Sequence, residues 1–197
     1  MVDRPIIFSA PMVRALLAGT KRQTRRLAFR SFEPLGPVTA KVGPETPWCR
    51  VQPGDRLWVR EAWASADADD RGPYAVAYMA DHPGDPTGLG WRPSIHMPRW
   101  ASRLTLVVTE VRRQRLQEIS EEDARAEGIR RWEMPPYGFT YFDSITMGNG
   151  YATAREAFQR LWGSLHGDDA WARNEEVVAL TFTVHRCNVE AMERAAA

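Results

Sequence analysis

The sequence predicts an α+β fold, and three observations carry that reading. Segments with a two-residue apolar period stand at 56–64, 102–112 and 176–186, as half-buried strands require. Stripes with helical spacing stand at 12–17 and 152–165. The two kinds of segment do not alternate as βαβ units, and no glycine-rich phosphate loop follows a strand, which argues against dinucleotide and P-loop folds. At 197 residues the chain fits one domain, 1–197, and 44% hydrophobic content supplies it with a core.

In chain order, residues 4–8 read as a short strand. Ser9 then caps a helix that tolerates Pro11 in its first turn. Met12, Val13, Leu16 and Leu17 form its apolar face, and Gly19 is its natural stop. Periodicity fails after Arg26. Eight prolines and glycines between 31 and 55 predict a long loop, ending in a turn at 53–55. The strand 56–64 follows. Residues 65–100 are irregular except for a short strand at 75–80. The clearest strand is 102–112, with Leu104, Leu106 and Val108 on one face. Ser120 with Asp123 starts a short helix and Gly128 ends it. A loop over 130–150 leads to the helix 152–165, striped by Ala154, Ala157, Phe158, Leu161 and Leu165. Val178, Leu180, Phe182 and Val184 share a face of the last strand, and 187–197 read as a loose helical tail.

Net charge is +1, which disfavours a protein built to grip long nucleic acid by phosphate neutralisation. Local basic stretches at 21–30 and at Arg112, Arg113 and Arg115 suit a small anionic or heteroaromatic ligand, modest RNA contact, or simply a solvated face. No apolar run approaches the roughly 20 residues of a membrane span, and MVDRPIIF lacks a signal-peptide pattern. Cytoplasmic residence is the expectation. Two cysteines and four histidines show no ligand spacing, so no metal and no cofactor are expected.

The stretch richest in chemistry is GTKRQTRR, residues 19–26. Lys21 and Thr24 are three apart, which in a helical turn or tight loop sets an amine beside a hydroxyl. That pair is a nucleophile and base in some hydrolase sites. Arg22, Arg25 and Arg26 crowd the amine with like charge and favour its neutral form. The chain has two lysines against 24 arginines, and arginine cannot release its proton. The plainer reading is that these cations complement a helix end and Thr24 is a turn residue. Glu127 lies in the last turn of its helix, where the dipole disfavours an acid. That setting suits a general acid or base, or it is an exposed glutamate. Trp58, Arg60, Glu61 and Trp63 line a planar-ligand pocket or form one polar strand face with an Arg60 ion pair. The stretch 91–100, two tryptophans and two arginines around His96, suits base stacking or covers the core edge.

With those residues in place, the chain resembles the ASCH domain family of the PUA-like superfamily over about residues 6–186. The resemblance rests on SAPMVRALLAGTKRQTRR, PGDRLWVREAW, the stretch from Trp91 through LQEISEEDARAEGI, and the closing helix and strand around FQRLWGSLHG and VVALTFTVHR. Gly19, Lys21 and Arg26 match the family signature. The resemblance implies a small β-barrel flanked by helices, with insertions at about 31–50, 65–100 and 129–150. Small bacterial members include N4-acetylcytidine amidohydrolases, whose threonine, lysine and glutamate fall on Thr24, Lys21 and Glu127. It therefore implies a metal-independent hydrolase of acylated cytosine nucleosides. Thr24 would be the nucleophile, Lys21 its base, and Glu127 would activate water or orient Lys21. Trp58, Arg60, Glu61, Arg26 and His96 are then candidates for base recognition. Other members are proposed to bind or cleave RNA, so an RNA-binding module, a ribonuclease or a non-catalytic binder of modified nucleosides are the alternatives.

Overall fold

The structure, a computed structural model, describes residues 1–31, 42–65, 76–83, 90–143, 145 and 150–196. The remaining parts of the expected insertions, 32–41, 66–75, 84–89, 144 and 146–149, lie outside the described residues. The chain opens with β1 (Asp3–Ile7), α1 (Ala10–Leu17), β2 (Gln23–Leu27) and β3 (Phe29–Ser31). It continues through β4 (Val42–Glu45), β5 (Arg56–Arg60), β6 (Trp63–Ser65), β7 (Val76–Tyr78) and β8 (Thr105–Arg115). After α2 (Glu121–Ala126) come β9 (Arg130–Glu133), β10 (Phe139–Phe142), α3 (Ala154–His166) and α4 (Ala170–Arg173). The chain closes with β11 (Glu176–His185) and α5 (Val189–Ala196).

The fold mixes α and β. Its main sheet has five strands in the order β1-β5-β8-β11-β2, with β1 parallel to β5 and both β5–β8 and β11–β2 antiparallel. No closure of this sheet into a barrel is seen among the described residues. Three two-stranded ribbons accompany it: β3–β4, β6–β7 and β9–β10. No helix among the described residues is long and apolar enough to cross a membrane.

The chain divides into two compact units, each assembled from separate stretches. The first comprises 1–19, 54–108 and 182–197. Its strands obey the two-residue period: Leu57 and Val59 are buried while Trp58 and Arg60 are half-exposed. Pro11 sits in the first turn of α1, and Gly19 takes a φ of 71° that favours glycine. Ser9 holds the N-cap position, but its side chain makes no capping bond, against expectation. The expected strand 56–64 breaks at Glu61, whose carboxylate turns to Arg103, and resumes as β6 against β7. Met97, from the stretch 91–100, is buried against Trp63 and Ala101, with Trp100 edge-on to Trp63. The tail is firmer than expected: α5 buries Val189 and sends Glu193 to Arg56.

The second unit comprises 20–53 and 109–181. Here α3 carries the expected capping box, Thr153 with Glu156, and buries Ala154, Ala157, Phe158 and Leu161. Leu165 remains exposed and Trp162 takes a buried place instead. Glu121 of α2 accepts the N–H groups of Ala154 and Arg155, which ties α2 to the start of α3. Two expected loops contain structure. Part of 31–55 is β4, paired with β3, and part of 130–150 is the ribbon β9–β10. Neither showed apolar alternation, because short ribbons with exposed faces need little of it.

Candidate active site

The second unit holds the three candidate catalytic residues, Lys21, Thr24 and Glu127. Ser120 accepts the Asp123 N–H at 3.1 Å and starts α2. Gly128, at φ 104°, stops it directly after Glu127. The chain leaving Gly19 runs back beside this helix end. The Arg22 N–H donates to the Ala126 carbonyl at 2.7 Å, and Lys21 forms a bridge with Glu127. Two elements distant in sequence are thereby zipped together.

The bridge fixes the side chains. Lys21 Nζ donates to the Glu127 carbonyl at 2.8 Å and to its carboxylate Oε2 at 2.7 Å. The other carboxylate oxygen, Oε1, accepts from Arg25 at 3.0 Å. Arg25 also donates to Asp123 at 2.8 Å and to the Gln23 side-chain oxygen at 2.6 Å. Gln23 in turn donates to Asp123 at 3.1 Å, and Arg112 reaches both oxygens of Asp123, at 2.9 and 3.0 Å. Phe158 lies under the Arg25 guanidinium at 5.7 Å.

Burial is nearly complete: Lys21 is 1% exposed, Thr24 4% and Glu127 5%. Glu127 is thus not the solvent-facing helix-end acid that the plainer reading expects. Burial pushes the Lys21 amine below its ordinary value. Its contacts with Glu127 oppose that, while the charges of Arg26 and Arg25 reinforce it, and the net direction is downward. Arg22 faces solvent and takes no part in this.

The carboxylates near Lys21 are each shared between cations. Glu127 is shared between Lys21 and Arg25, and Arg26 also acts on it electrostatically. Asp123 is shared between Arg25 and Arg112. A guanidinium does not give up its proton, whereas the Lys21 ammonium can.

Against protein-family models, curated proteins and solved structures, the chain finds no match.

Thr24 requires a correction. The helical-turn spacing does not apply, because Thr24 lies in β2, opposite Leu180 of β11. Strand alternation turns it to the face opposite Gln23 and Arg25. Arg26 shares its face and holds its guanidinium 5.6 Å from the Trp48 ring. Lys21 and Glu127 are in direct contact, whereas the Thr24 hydroxyl makes no hydrogen bond among the described residues. A groove of about 320 Å³ in this unit passes Tyr151, Arg160 and Trp171, but none of the three candidate catalytic residues lines it.

The remaining predicted residues belong to the first unit. Trp58 is half-buried beneath the Arg60 guanidinium, at 5.4 Å. Arg60 donates to the Ile95 carbonyl, and among the described residues it forms no ion pair of the kind the polar-face alternative includes. Glu61 is buried and gives both oxygens to Arg103, at 2.9 and 3.1 Å. Burial raises its affinity for a proton, although the Arg103 hydrogen bonds and charge oppose this. The carboxylate is thus committed within the protein. His96 is exposed, in a turn at Ser94–His96. Sequence reasoning missed Gln23 and the second role of Asp123. The usable signal was the two-residue spacing of Lys21, Gln23 and Arg25, which marks a polar strand face.

Proposed function

We propose that the protein is an amidohydrolase that removes the acyl group from N4-acylated cytosine nucleosides, working through Thr24, Lys21 and Glu127. One observation carries the reading. A buried lysine, held below its ordinary titration range, touches a carboxylate whose other oxygen is already occupied by an arginine. A lysine whose proton is held less tightly than usual is suited to act as a general base. The resemblance to ASCH proteins supports the residue assignment, and in this reading the five-stranded sheet corresponds to their small PUA-like barrel.

The Thr24 hydroxyl attacks the acyl carbonyl and its proton passes to the Lys21 amine. The exocyclic amine of cytosine departs with the proton that Lys21 took up, leaving an acyl-threonine ester. Water then cleaves that ester, releasing the carboxylic acid and restoring the Thr24 hydroxyl, and Glu127 keeps Lys21 oriented through both steps.

The test is release of cytidine from N4-acetylcytidine by the purified protein. Thr24→Ala, Lys21→Ala and Glu127→Ala should each lose at least about 100-fold in kcat/KM. Full turnover by Thr24→Ala would remove the nucleophile. Tight binding without turnover by the wild type would leave a non-catalytic binder of the modified nucleoside.

A further inference from the structure

We infer that Arg25 is a positioning residue that supplies the counter-charge for Glu127 and so releases Lys21 from that duty. Its consequence for catalysis rests on the amidohydrolase reading; its effect on Lys21 does not.

A carboxylate with a single lysine partner keeps that lysine protonated, because separating the two would strand a buried anion. Here Arg25 occupies Oε1 of Glu127 at 3.0 Å while Lys21 occupies Oε2 at 2.7 Å. When Lys21 gives up its proton, Glu127 still has a cation. The Arg25 fork is itself fixed. Its side chain is fully buried, one terminal nitrogen reaches Asp123, and the other is shared by Gln23 and Glu127. Asp123 is anchored from β8 by Arg112, which also pairs with Glu110 at 3.4 Å. From α3, Phe158 underlies Arg25, and His166 is kept below its ordinary range by burial and by Arg26. Arg26 itself adds like charge to Lys21. Arg25 joins Glu127 to a second carboxylate, Asp123, through its two ends.

The chain's two lysines make this directly measurable. In protein labelled with ¹³C-lysine, the side-chain Cε signals of Lys21 and Lys41 are followed against pH, with Lys41→Arg identifying which is which. Arg25→Met keeps bulk over Phe158, and Arg25→Gln keeps hydrogen bonding. In either one, the Lys21 midpoint should rise by about one pH unit or more. Arg25→Lys, which restores the charge, should return it to within a few tenths of wild type. An unmoved midpoint in a folded neutral variant overturns the proposal. Failure of both neutral variants to fold, judged by circular dichroism, also counts against it, since Arg25 would then serve the fold. The acidic limb of kcat/KM on N4-acetylcytidine should move with the midpoint. If the midpoint moves and no cytidine is ever released, the role of Arg25 stands and the amidohydrolase reading falls.

Discussion

A lysine amine taken out of water loses the hydration that stabilises its charge, and this cost holds Lys21 below its ordinary range. The same shift fixes a dependence of stability on pH. Between the lowered folded value and the unfolded value of 10.5, the unfolded chain holds a proton that the folded chain has released. The unfolded state binds more protons there, so this group's effect on stability improves as pH rises through that window. Urea midpoints measured from neutral pH upward should show the gain in wild type and lose it in Lys21→Met. Asp123 behaves oppositely. Burial disfavours its charge, but hydrogen bonds from Arg112 and Gln23 and the charges of Arg25 and Arg112 outweigh that, and its carboxyl sits below 3.8. Its contribution is complete above the unfolded value and lost as pH falls through the folded one. Asp123→Asn should flatten the acid limb of the stability profile.

The six-residue helix α2 is too short to persist alone and depends on its ends. Ser120 closes one end, and the other delivers Glu127 to Lys21. Ser120→Ala should cost about 1 kcal/mol in urea denaturation. On the amidohydrolase reading it should also lower kcat/KM, because the helix aims Glu127. This helix was legible in sequence, since the cap, the acidic first turn and the glycine stop are local signals. The strand β2 was not. Its residues Gln23 to Leu27 show no apolar alternation, because one buried face carries Gln23 and Arg25, whose charge and polarity are satisfied by Asp123 and Glu127 about a hundred residues away, and Thr24 is buried on the other. A strand whose polar face is neutralised from afar reads locally as a basic run.

Across the whole molecule, acids and bases nearly cancel, with a net charge of +1 and an isoelectric point near 7.9. Many arginines are occupied in ion pairs with carboxylates, as Arg56, Arg103 and Arg113 show. Binding to single-stranded RNA should therefore be weak, with a salt slope corresponding to no more than about two phosphate contacts. A steep slope that falls in Arg22→Ala and Arg30→Ala would favour the RNA-binding alternative.

By itself the sequence determined α1, β8, α2, α3 and β11, the near-neutral charge and the scarcity of lysine. Those follow from composition, caps and apolar periods, all of which act over a few residues. Only the tertiary structure decided that Lys21 and Glu127 are buried in contact, that Thr24 occupies a strand, and that Glu61 is committed to Arg103. An apolar period tells a segment which face to hide, but not which distant segment will cover it. For a buried charge, that distant partner sets the chemistry.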